Sequence, residues 1–457
     1  MVRHHHQTNK SHNQELIQIL VQIQVILLLI RVRVWAVVVR LVDKQRQRNS
    51  FYVQIPDFWD RLYGSEYALF DCYELTINEV EQIRKATQDA YFIYKKVNYL
   101  LRSVSDETLL DLGFPEKGLS FLRSTSIPYE TVIGRFDFVL TQAGPKIIEF
   151  NSDTPTFIRE LFDVNALVCE EFGLVNPNQE TAEELGKAIR NSVFHCANSL
   201  GISDHPYVIF TAHEDDIEDR ETLKYLMKVA KIKGATFVPL SKIQIVPEGE
   251  NQGVYDPEGK KVDIVYRHTY PLEALLEDVS ADNYPIGIEF MKLVEAGRVG
   301  MLNPVSAFLM QSKAVMALIW GMYEERHPFF EKEELQVIER YFLPTYLDEE
   351  PFYETGEMYV SKPAFGREGD TVEVKQDGKT IFSQKQKTYD QYVKVYQKYV
   401  DLPSTTIQTE LGSQEAHLLV GSFVVNEKPS AIGIRAGAKI TDNLSYFLPC
   451  GMRGENK

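Results

Sequence analysis

The amino-acid sequence predicts a fold that joins an α/β layered region to an α+β region with an antiparallel sheet. Between residues 207 and 266, strand-like segments alternate with a helical segment, as in layered α/β structures. From about Pro304 onward, a helix is followed by a series of strand-like segments, which is typical of an antiparallel sheet. Earlier in the chain, residues 131–151 have the pattern of a β-hairpin.

The composition is that of a globular protein and excludes a disordered or fibrous one. The chain has 457 residues, of which 44% are hydrophobic and 25% are charged, and this length allows two or three domains. The 49 Lys and Arg against 65 Asp and Glu give a net charge of −16, which repels nucleic acids and anionic membranes. We therefore predict no nucleic-acid partner, and the charge disfavours a membrane partner.

The cysteines indicate neither a metal site nor a redox motif. The sequence contains four of them, Cys72, Cys169, Cys196 and Cys450, and no two have a Cys-x-x-Cys spacing. We expect reduced thiols and a cytoplasmic location.

Residues 1–50 differ in character from the rest of the chain. Their longest uncharged run, residues 16–30, contains three glutamines and is shorter than the roughly 20 apolar residues of a bilayer span. We interpret residues 1–50 as a non-globular basic and apolar extension, which is either not native or a weak membrane anchor. The globular fold is expected to begin at Phe51.

Local signals predict the first elements of the globular part. Thr76-Ile77-Asn78-Glu79 is a capping-box pattern, and the apolar spacing after it predicts a helix that ends near Leu101. Residues 131–140 and 146–151 are the two strands of the predicted hairpin. Asp153-Thr154-Pro155 then predicts the N-cap and first turn of a helix that runs towards Phe172.

The hairpin is expected to bring four polar side chains to one face. A turn centred on Ala143 places Asp137 opposite Glu149 and Arg135 opposite Asn151. Opposed carboxylates repel each other, so an offsetting cation is expected, and oxygen ligands of this kind suit Mg²⁺. The alternative is a solvated hairpin face on which the two acids are tolerated.

Two further features favour the metal site. The opposite face of the hairpin, formed by Phe136, Phe138, Ile148 and Phe150, is apolar enough to be buried, and burial would fix the register. The predicted helix N-terminus at Asp153 would offer free N–H groups to an anion. A metal beside an anion site is typical of phosphate-handling proteins.

A second phosphate-binding pattern lies at residues 359–372. A strand that ends in Lys362 precedes a loop with two glycines, Gly366 and Gly369, and a further strand. The pattern is not a Walker A motif, because no Gly-Lys-Ser/Thr opens a helix. A lysine on a strand and a glycine-containing loop can nevertheless bind nucleotide phosphates, and a simple turn is the alternative.

Three segments together resemble the glutathionylspermidine synthase family, specifically its ATP-grasp synthetase domain. They are residues 134–138 with 148–156, residues 362–369 and residues 431–435, and the resemblance extends from about Phe58 to Pro449. It implies an ATP-grasp fold with a pre-ATP-grasp-like α/β domain. The metal residues precede the lysine loop, so the implied fold is circularly permuted.

The resemblance also implies a role for each site residue. The implied magnesium ligands are Asp137, Glu149 and Asn151. The implied ATP-binding residues are Arg135, Lys313, Lys362, Arg367, Glu368, Gly369, Gln408, Leu411 and Ile440, of which Gln408 to Leu411 would lie beside adenine. The implied catalytic residue is Arg135, which would contact the reacting phosphoryl and acyl oxygens. The implied substrate-binding residues are Thr154, Thr156, Glu218, Asp219, Thr269 and Arg435. For the acidic run around Glu218, a solvated helix start is the alternative.

The activity implied by the resemblance is that of an ATP- and Mg²⁺-dependent C–N ligase. Family members activate the glycine carboxylate of glutathione as an acyl phosphate, which a polyamine nitrogen then attacks. The amidase domain of bifunctional members is not implied, because residues 1–50 cannot form one. The competing interpretation is a catalytically inactive ATP-binding regulatory or scaffold protein of the same fold. The donor, the acceptor and the oligomeric state are left open.

These expectations divide the chain into three regions. Residues 1–50 are the extension. Residues 51–300 would form a helical and α/β region that contains the hairpin, the metal site and substrate contacts. Residues 301–457 would form the nucleotide-binding region of the ATP-grasp fold.

Overall fold

The structure is a computed structural model that describes most of the chain from residue 42 onward. The described residues are 42–202, 205–268, 271–367, 369–442 and 444–454. The described residues divide into two compact units, one that contains residues 42–56 with 408–413 and one that contains residues 57–407 with 414–454. The predicted extension lies outside the described residues as far as residue 41, and residues 42–52 form helix α1. No helix in the described ranges is both long enough and apolar enough to cross a membrane.

The remaining α-helices of the described residues belong to the larger unit. They are α2 Ile77–Leu101, α3 Asp106–Asp111, α4 Leu119–Leu122, α5 Asn165–Glu171, α6 Thr181–Ser199, α7 Ile217–Ala230, α8 Leu272–Glu277, α9 Ile286–Glu295, α10 Ala314–Glu324, α11 Lys332–Tyr341 and α12 Glu350–Thr355. The predicted capping box is confirmed, because Thr76 accepts from the backbone N–H of Glu79 and the Glu79 carboxylate accepts from that of Thr76.

The strands of the described residues range in length from two to fourteen residues. In order they are β1 Arg61–Leu62, β2 Ser65–Glu66, β3 Tyr73–Leu75, β4 Ile133–Thr141, β5 Gly144–Asn151, β6 Val208–Thr211, β7 Thr236–Phe237, β8 Gln244–Val246, β9 Gly253–Tyr255, β10 Lys261–Val262, β11 Ile264–Arg267, β12 Gly300–Leu302, β13 Thr345–Tyr346, β14 Tyr359–Pro363, β15 Glu373–Gln376, β16 Lys379–Ser383, β17 Lys394–Lys398, β18 Ser404–Thr409, β19 Gly412–Val425, β20 Lys428–Gly437, β21 Tyr446–Leu448 and β22 Cys450–Met452.

The middle of the chain forms a parallel sheet of order β12-β11-β6-β7, which confirms the predicted α/β region. Its central strands, β6 and β11, are buried along their whole length. Strands buried on both faces read as continuous apolar runs, and this is the pattern that the sequence has at these positions.

Two antiparallel sheets confirm the predicted α+β region. One has the order β13-β17-β14-β15-β16. The other has the order β21-β20-β19-β4-β5, with β18 paired to β19. The second sheet therefore joins the hairpin of residues 133–151 to strands that lie almost 300 residues later in the chain.

The register predicted for the hairpin is confirmed at its polar end. Arg135 pairs with Asn151 and Asp137 pairs with Glu149. A β-bulge follows Asp137, so Phe138 pairs with Ile147. The prediction that Ile148 belongs to the buried face is therefore wrong. The bulge adds one residue to β5, which turns Ile147 into the core and leaves Ile148 half-buried.

Aromatic packing against α2 holds this register. The rings of Phe136 and Phe150 stack with centroids 4.0 Å apart, and Tyr94 of α2 lies 5.0 Å from Phe150. All three side chains are buried. A slip of one residue would expose this face to solvent, so the core fixes which side chains reach the opposite face.

The prediction of a helix that starts at Asp153 is wrong. Residues 152–157 are not helical, and the helical segment begins at residue 158. The carboxylate of Asp153 does not cap a helix, because it accepts from the Arg267 guanidinium at 2.5 and 3.1 Å and from the Leu272 N–H. The backbone N–H groups of Ser152 and Asp153 donate to the Gln311 side chain, so they do not form an open anion site.

Candidate active site

The acidic face of the hairpin holds a buried ion pair. The Arg135 guanidinium donates to both carboxylate oxygens of Asp137, at 2.6 and 3.0 Å, and both side chains are about 95% buried. Asp137 pairs across the sheet with Gly421, where a Cβ atom would lie 3.2 Å from the Arg135 side chain. The glycine therefore leaves room for the guanidinium. The remaining nitrogen of Arg135 donates to the Thr156 carbonyl oxygen at 2.7 Å.

Glu149 lies between cations from two other elements. Its carboxylate is 3.2 Å from the Lys313 ammonium group and accepts from the Asn151 carboxamide at 3.2 Å. Burial alone would raise the pKa of Glu149, but the charges of Lys313 and Lys362 outweigh it and hold that pKa well below its usual range. The repulsion expected between Asp137 and Glu149 is thus offset by protein cations in this structure.

Lys362 projects from β14 into the same site. Its ammonium group donates to the Ile148 carbonyl oxygen at 2.7 Å and to the Gln397 carboxamide oxygen at 2.8 Å. Burial lowers the pKa of Lys362 to about 7, although the charge of Glu149 acts in the opposite direction. An ammonium group buried without a full counter-charge is stabilised by any anion that reaches it.

The loop after β14 carries two of the predicted nucleotide residues. Arg367 donates to the Thr154 hydroxyl at 2.6 Å, and its buried Nε atom has no hydrogen-bond partner. Gly369 has φ of +69°, and a Cβ atom there would lie 2.3 Å from the Thr441 carbonyl oxygen, so only glycine fits. Glu368, between them, lies outside the described residues.

An open pocket connects these groups. Its charged lining residues are Asp137, Glu149, Lys313, Lys362, Arg367, Asp370, Lys398, Arg435 and Lys439. Its apolar lining residues are Ile148, Val360, Pro363, Val372, Tyr399, Val400, Leu402, Leu419 and Ile440. One pocket therefore combines a cationic wall with an apolar wall, and it includes the predicted residue Ile440.

Gln408 and Leu411 belong to the smaller unit and are not among the residues that line this pocket. Gln408 donates to the Ser413 hydroxyl at 2.9 Å, and Leu411 is 85% exposed. Their predicted place beside adenine stays a prediction. The apolar wall instead includes Tyr399, Val400 and Leu402, which follow β17 and which no sequence motif had indicated.

The predicted substrate residues form two groups. Thr156 accepts through its hydroxyl from Arg435 at 3.1 Å, and Arg435 lies 5.1 Å from the ring centroid of Phe157. Glu218 and Asp219 lie half-buried in the first turn of α7, after the N-cap Asp216. Burial and the neighbouring charge of Glu160 raise the pKa of Glu218. Thr269 lies outside the described residues.

Three buried residues that no sequence motif indicates also support this site. Gln311 binds the Ser152 and Asp153 N–H groups through its oxygen, and its nitrogen lies 3.5 Å from the Asn151 carboxamide oxygen. Gln397 accepts from Lys362. Asn303 accepts from the Val132 N–H at 2.8 Å and also donates to the Asp153 carbonyl. Isolated amides carry no spacing signal in a sequence, so only the folded chain reveals them.

The donor set of the hairpin fits a hard cation. Among the described residues, no group of three or more His, Cys, Asp or Glu side chains is arranged to hold a metal. The hairpin instead offers two carboxylates and one carboxamide oxygen, a set that Mg²⁺ uses when water and phosphate oxygens complete its shell. The carboxylates currently face Arg135 and Lys313, so a cation would compete with these side chains.

The fold and the pocket define a mixed α/β protein whose site combines a cationic wall with an acidic hairpin. The sequence profile of the family described as "Glutathionylspermidine synthase preATP-grasp" matches residues 44–453, so the chain belongs to that family. This confirms the resemblance stated from the motifs.

The individual proteins to which the chain is similar share only a small part of its sequence. A Haemophilus influenzae protein described as "Putative acid--amine ligase" is 24% identical over 387 residues, which cover 82% of this chain and 88% of that protein. The apo structure of a glutathione synthetase-like effector from Globodera pallida has a TM-score of 0.50 and 11% identity, covering 84% of this chain and 90% of the other. The likeness to the Globodera pallida structure supports a shared fold.

Proposed function

We propose that the protein is an ATP- and Mg²⁺-dependent carboxylate–amine ligase that forms an amide bond through an acyl-phosphate intermediate. As in glutathionylspermidine synthase, glutathione or a similar peptide would supply the carboxylate and a polyamine would supply the amine. The observation that carries this proposal is the single pocket in which Lys313, Lys362 and Arg367 face the acidic hairpin residues. Family membership and the acid–amine ligase description of the Haemophilus influenzae relative support it.

The nucleotide would lie along the cationic wall of the pocket. Lys313 and Lys362 would bind its phosphates as point charges, and the loop of Gly366 to Gly369 would cover them. The unpartnered Nε of Arg367 supports this assignment, because a buried guanidinium N–H without an acceptor is costly and a phosphate oxygen would satisfy it. The apolar wall with Ile440 would receive the base.

Magnesium would be held by Asp137, Glu149 and Asn151. A bound Mg²⁺ neutralises phosphate charge, which eases the approach of two anions. Its binding would release Lys313 from Glu149, and the freed ammonium group could turn to phosphate.

Arg135 would orient the two reacting anions. Amide formation from a free carboxylate needs a leaving group, and phosphorylation of the donor carboxylate supplies it. The planar guanidinium can contact the donor carboxylate and the transferred phosphoryl group together, and no covalent nucleophile is required. Thr154, Thr156 and Arg435 would hold the donor, and Glu218, Asp219 and Thr269 would hold the amine.

We further propose the circularly permuted ATP-grasp arrangement for this fold. It is supported by chain order, since the hairpin of residues 133–151 precedes the lysine strand Tyr359–Pro363 although both contribute to one pocket. The site would lie within the larger unit.

The test is a substrate panel with the full chain. The protein is incubated with MgATP and with combinations of thiol peptides and polyamines, and the release of ADP and phosphate is followed together with the mass of the product. We expect phosphate release that requires both a peptide and an amine, with an equimolar amide product. ATP binding without turnover for any pair would instead favour the inactive regulatory or scaffold protein.

A further inference from the structure

Glu160 is a buried carboxylate to which the proposed function gives no role. It begins the π-helical turn Glu160–Val164 and has no exposed surface. The Tyr67 hydroxyl donates to its Oε1 at 2.5 Å, while its Oε2 is buried and has no hydrogen-bond partner. A buried carboxylate oxygen without a donor is costly, so this atom indicates a donor that the protein itself does not supply.

The chain places Glu160 next to the two arginines of the site. Thr156, four residues earlier in the chain, accepts from Arg135 through its carbonyl oxygen at 2.7 Å and from Arg435 through its hydroxyl at 3.1 Å. The π-helical turn follows the first helical residues, 158 and 159, and such turns inserted into α-helices are frequent at functional sites. Glu160 thus lies beside the groups proposed to hold the donor carboxylate.

The groups around Glu160 carry both signs of charge. Tyr67 faces it from the segment after β2, Glu218 from α7, Arg435 from β20 and Arg135 from β4. Burial raises the pKa of Glu160, whereas the Tyr67 hydrogen bond and the charges of the two arginines oppose that rise. A carboxylate with a raised pKa is a stronger base than an exposed one.

We propose that Glu160 and Glu218 form the subsite for the attacking ammonium group of the amine acceptor, and that Oε2 of Glu160 takes its proton. The inference rests on the ligase function proposed above. An ammonium group satisfies Oε2 and places its nitrogen near the acyl group held by Arg135 and Arg435. Glu160 is then a catalytic residue, because it touches the reacting nitrogen.

The proton balance of the step is simple. The acceptor R–NH₃⁺ transfers one proton to Glu160, and the nitrogen lone pair forms the C–N bond with the acyl carbon. The C–O bond to phosphate breaks and its electron pair leaves with the phosphate. The second proton of the nitrogen goes to that phosphate, so the products are the amide, HPO₄²⁻ and protonated Glu160.

The experiment compares two nucleophiles that differ in their need for a base. An alkyl amine such as spermidine is protonated at neutral pH, as a lysine with a pKa of about 10.4 is. Hydroxylamine is largely unprotonated there and traps an acyl phosphate as a hydroxamate. The donor is the peptide with the highest phosphate release in the panel. The variants are Glu160→Gln, which keeps the shape, and the exposed control Glu171→Gln on α5.

For Glu160→Gln we expect spermidine amide formation to fall by about 10²- to 10⁴-fold, the usual contribution of general base catalysis. Hydroxamate formation should change by less than about threefold, as should both reactions in Glu171→Gln. The rate of the variant with spermidine should rise with pH up to 9, because hydroxide then supplies the free amine.

A second variant keeps the inference testable if Glu160→Gln does not fold. Tyr67→Phe removes a hydrogen bond that lowers the pKa of Glu160, so the acidic limb of the spermidine pH profile should move to higher pH while the hydroxamate profile stays in place.

Equal loss of both reactions in Glu160→Gln, or no loss in either, would overturn the role of Glu160 while the ligase function stands. An unmoved acidic limb in Tyr67→Phe would do the same. A wild-type protein that forms neither amide nor hydroxamate would overturn the ligase function, and this inference with it.

Discussion

The two antiparallel sheets contribute to the pocket in different ways. The six-stranded sheet supplies the acids from one hairpin, where Asp137 and Glu149 are cross-strand neighbours. The five-stranded sheet supplies Lys362 on β14, whose contacts come from β5 and β17, while Lys313 precedes α10. The acidic half depends on local pairing and the cationic half on tertiary packing. Substitutions in the two halves should therefore change turnover, stability and nucleotide affinity to different extents.

The largest effect is expected for Asp137→Asn in the acidic half. We expect turnover at ordinary Mg²⁺ to fall by more than about 10²-fold, since even the outer partners of metal ligands contribute about 10- to 100-fold. The variant should also be less stable, because the buried Arg135 guanidinium loses its paired charge, a change that costs up to about 3–5 kcal/mol.

Asp163→Asn is the matched control for this prediction, since Asp163 also pairs with an arginine but lies outside the pocket lining. Steady-state assays over a Mg²⁺ series and thermal unfolding provide the measurements. Wild-type turnover in Asp137→Asn at ordinary Mg²⁺ would remove the hairpin from the metal site.

The next effect separates phosphoryl transfer from nucleotide binding. In Arg135→Lys the charge remains but the planar fork is lost, so acyl-phosphate formation should fall by about 10²-fold, or about 2.7 kcal/mol of barrier. Nucleotide affinity should change little. Single-turnover phosphate transfer at saturating substrates, beside a nucleotide titration, tests both points, with Arg102→Lys as a control whose arginine pairs with Glu130 elsewhere. Collapse of affinity with a normal single-turnover rate would make Arg135 a nucleotide-binding residue.

In the cationic half, Lys362→Ala should weaken nucleotide binding by about 10- to 150-fold at pH 6, because a charge-assisted contact contributes about 1.5–3 kcal/mol. Burial lowers the pKa of Lys362 to about 7 in the free protein, and phosphate stabilises the charged form. Affinity should therefore be highest below pH 7 and should fall by at most about tenfold per unit above it.

Lys362→Arg tests this prediction further. Arginine stays charged, so the nucleotide affinity of this variant should not decline between pH 7 and 9. Calorimetric titration with a non-hydrolysable nucleotide and Mg²⁺ from pH 6 to 9 measures all variants, and Lys375→Ala on β15 serves as a control outside the pocket lining. Parallel pH curves for wild type and Lys362→Arg would assign the titration to another group.

The smallest effect on function is expected for substitutions of Ile147 and Ile148, two neighbouring residues that the β-bulge places in different surroundings. Ile147→Ala should lower the free energy of unfolding by about 2–5 kcal/mol, because its side chain is fully buried. Ile148→Ala should lower the free energy of unfolding by roughly half as much or less. It should also weaken nucleotide binding, because Ile148 lines the pocket. Chemical denaturation measures the first effect. Equal losses of stability would contradict the assigned bulge.

Much of the acidic half could be predicted from the sequence. The pairing of Asp137 with Glu149 follows from the turn position and the alternation of Phe136, Phe138 and Phe150, which are local properties of one hairpin. The bulge at Ile148 could not be predicted, because an extra residue changes no alternation until the strand is packed against its partner. The start of the following helix could not be predicted either. Asp153 does not cap that helix, because its carboxylate binds a buried arginine more than 110 residues away.

The sequence alone determined the α/β and α+β regions, the capped helix, the hairpin register at its polar end and the family, because strand alternation, capping and motif order are properties of neighbouring residues. Only the tertiary structure decided what the charged groups contact. It brought Lys313 to Glu149, Lys362 to Gln397 and Tyr67 to Glu160, and it lowered the pKa of Lys362 by burial. Burial and electrostatic interaction depend on residues distant in the chain, so local patterns do not encode them.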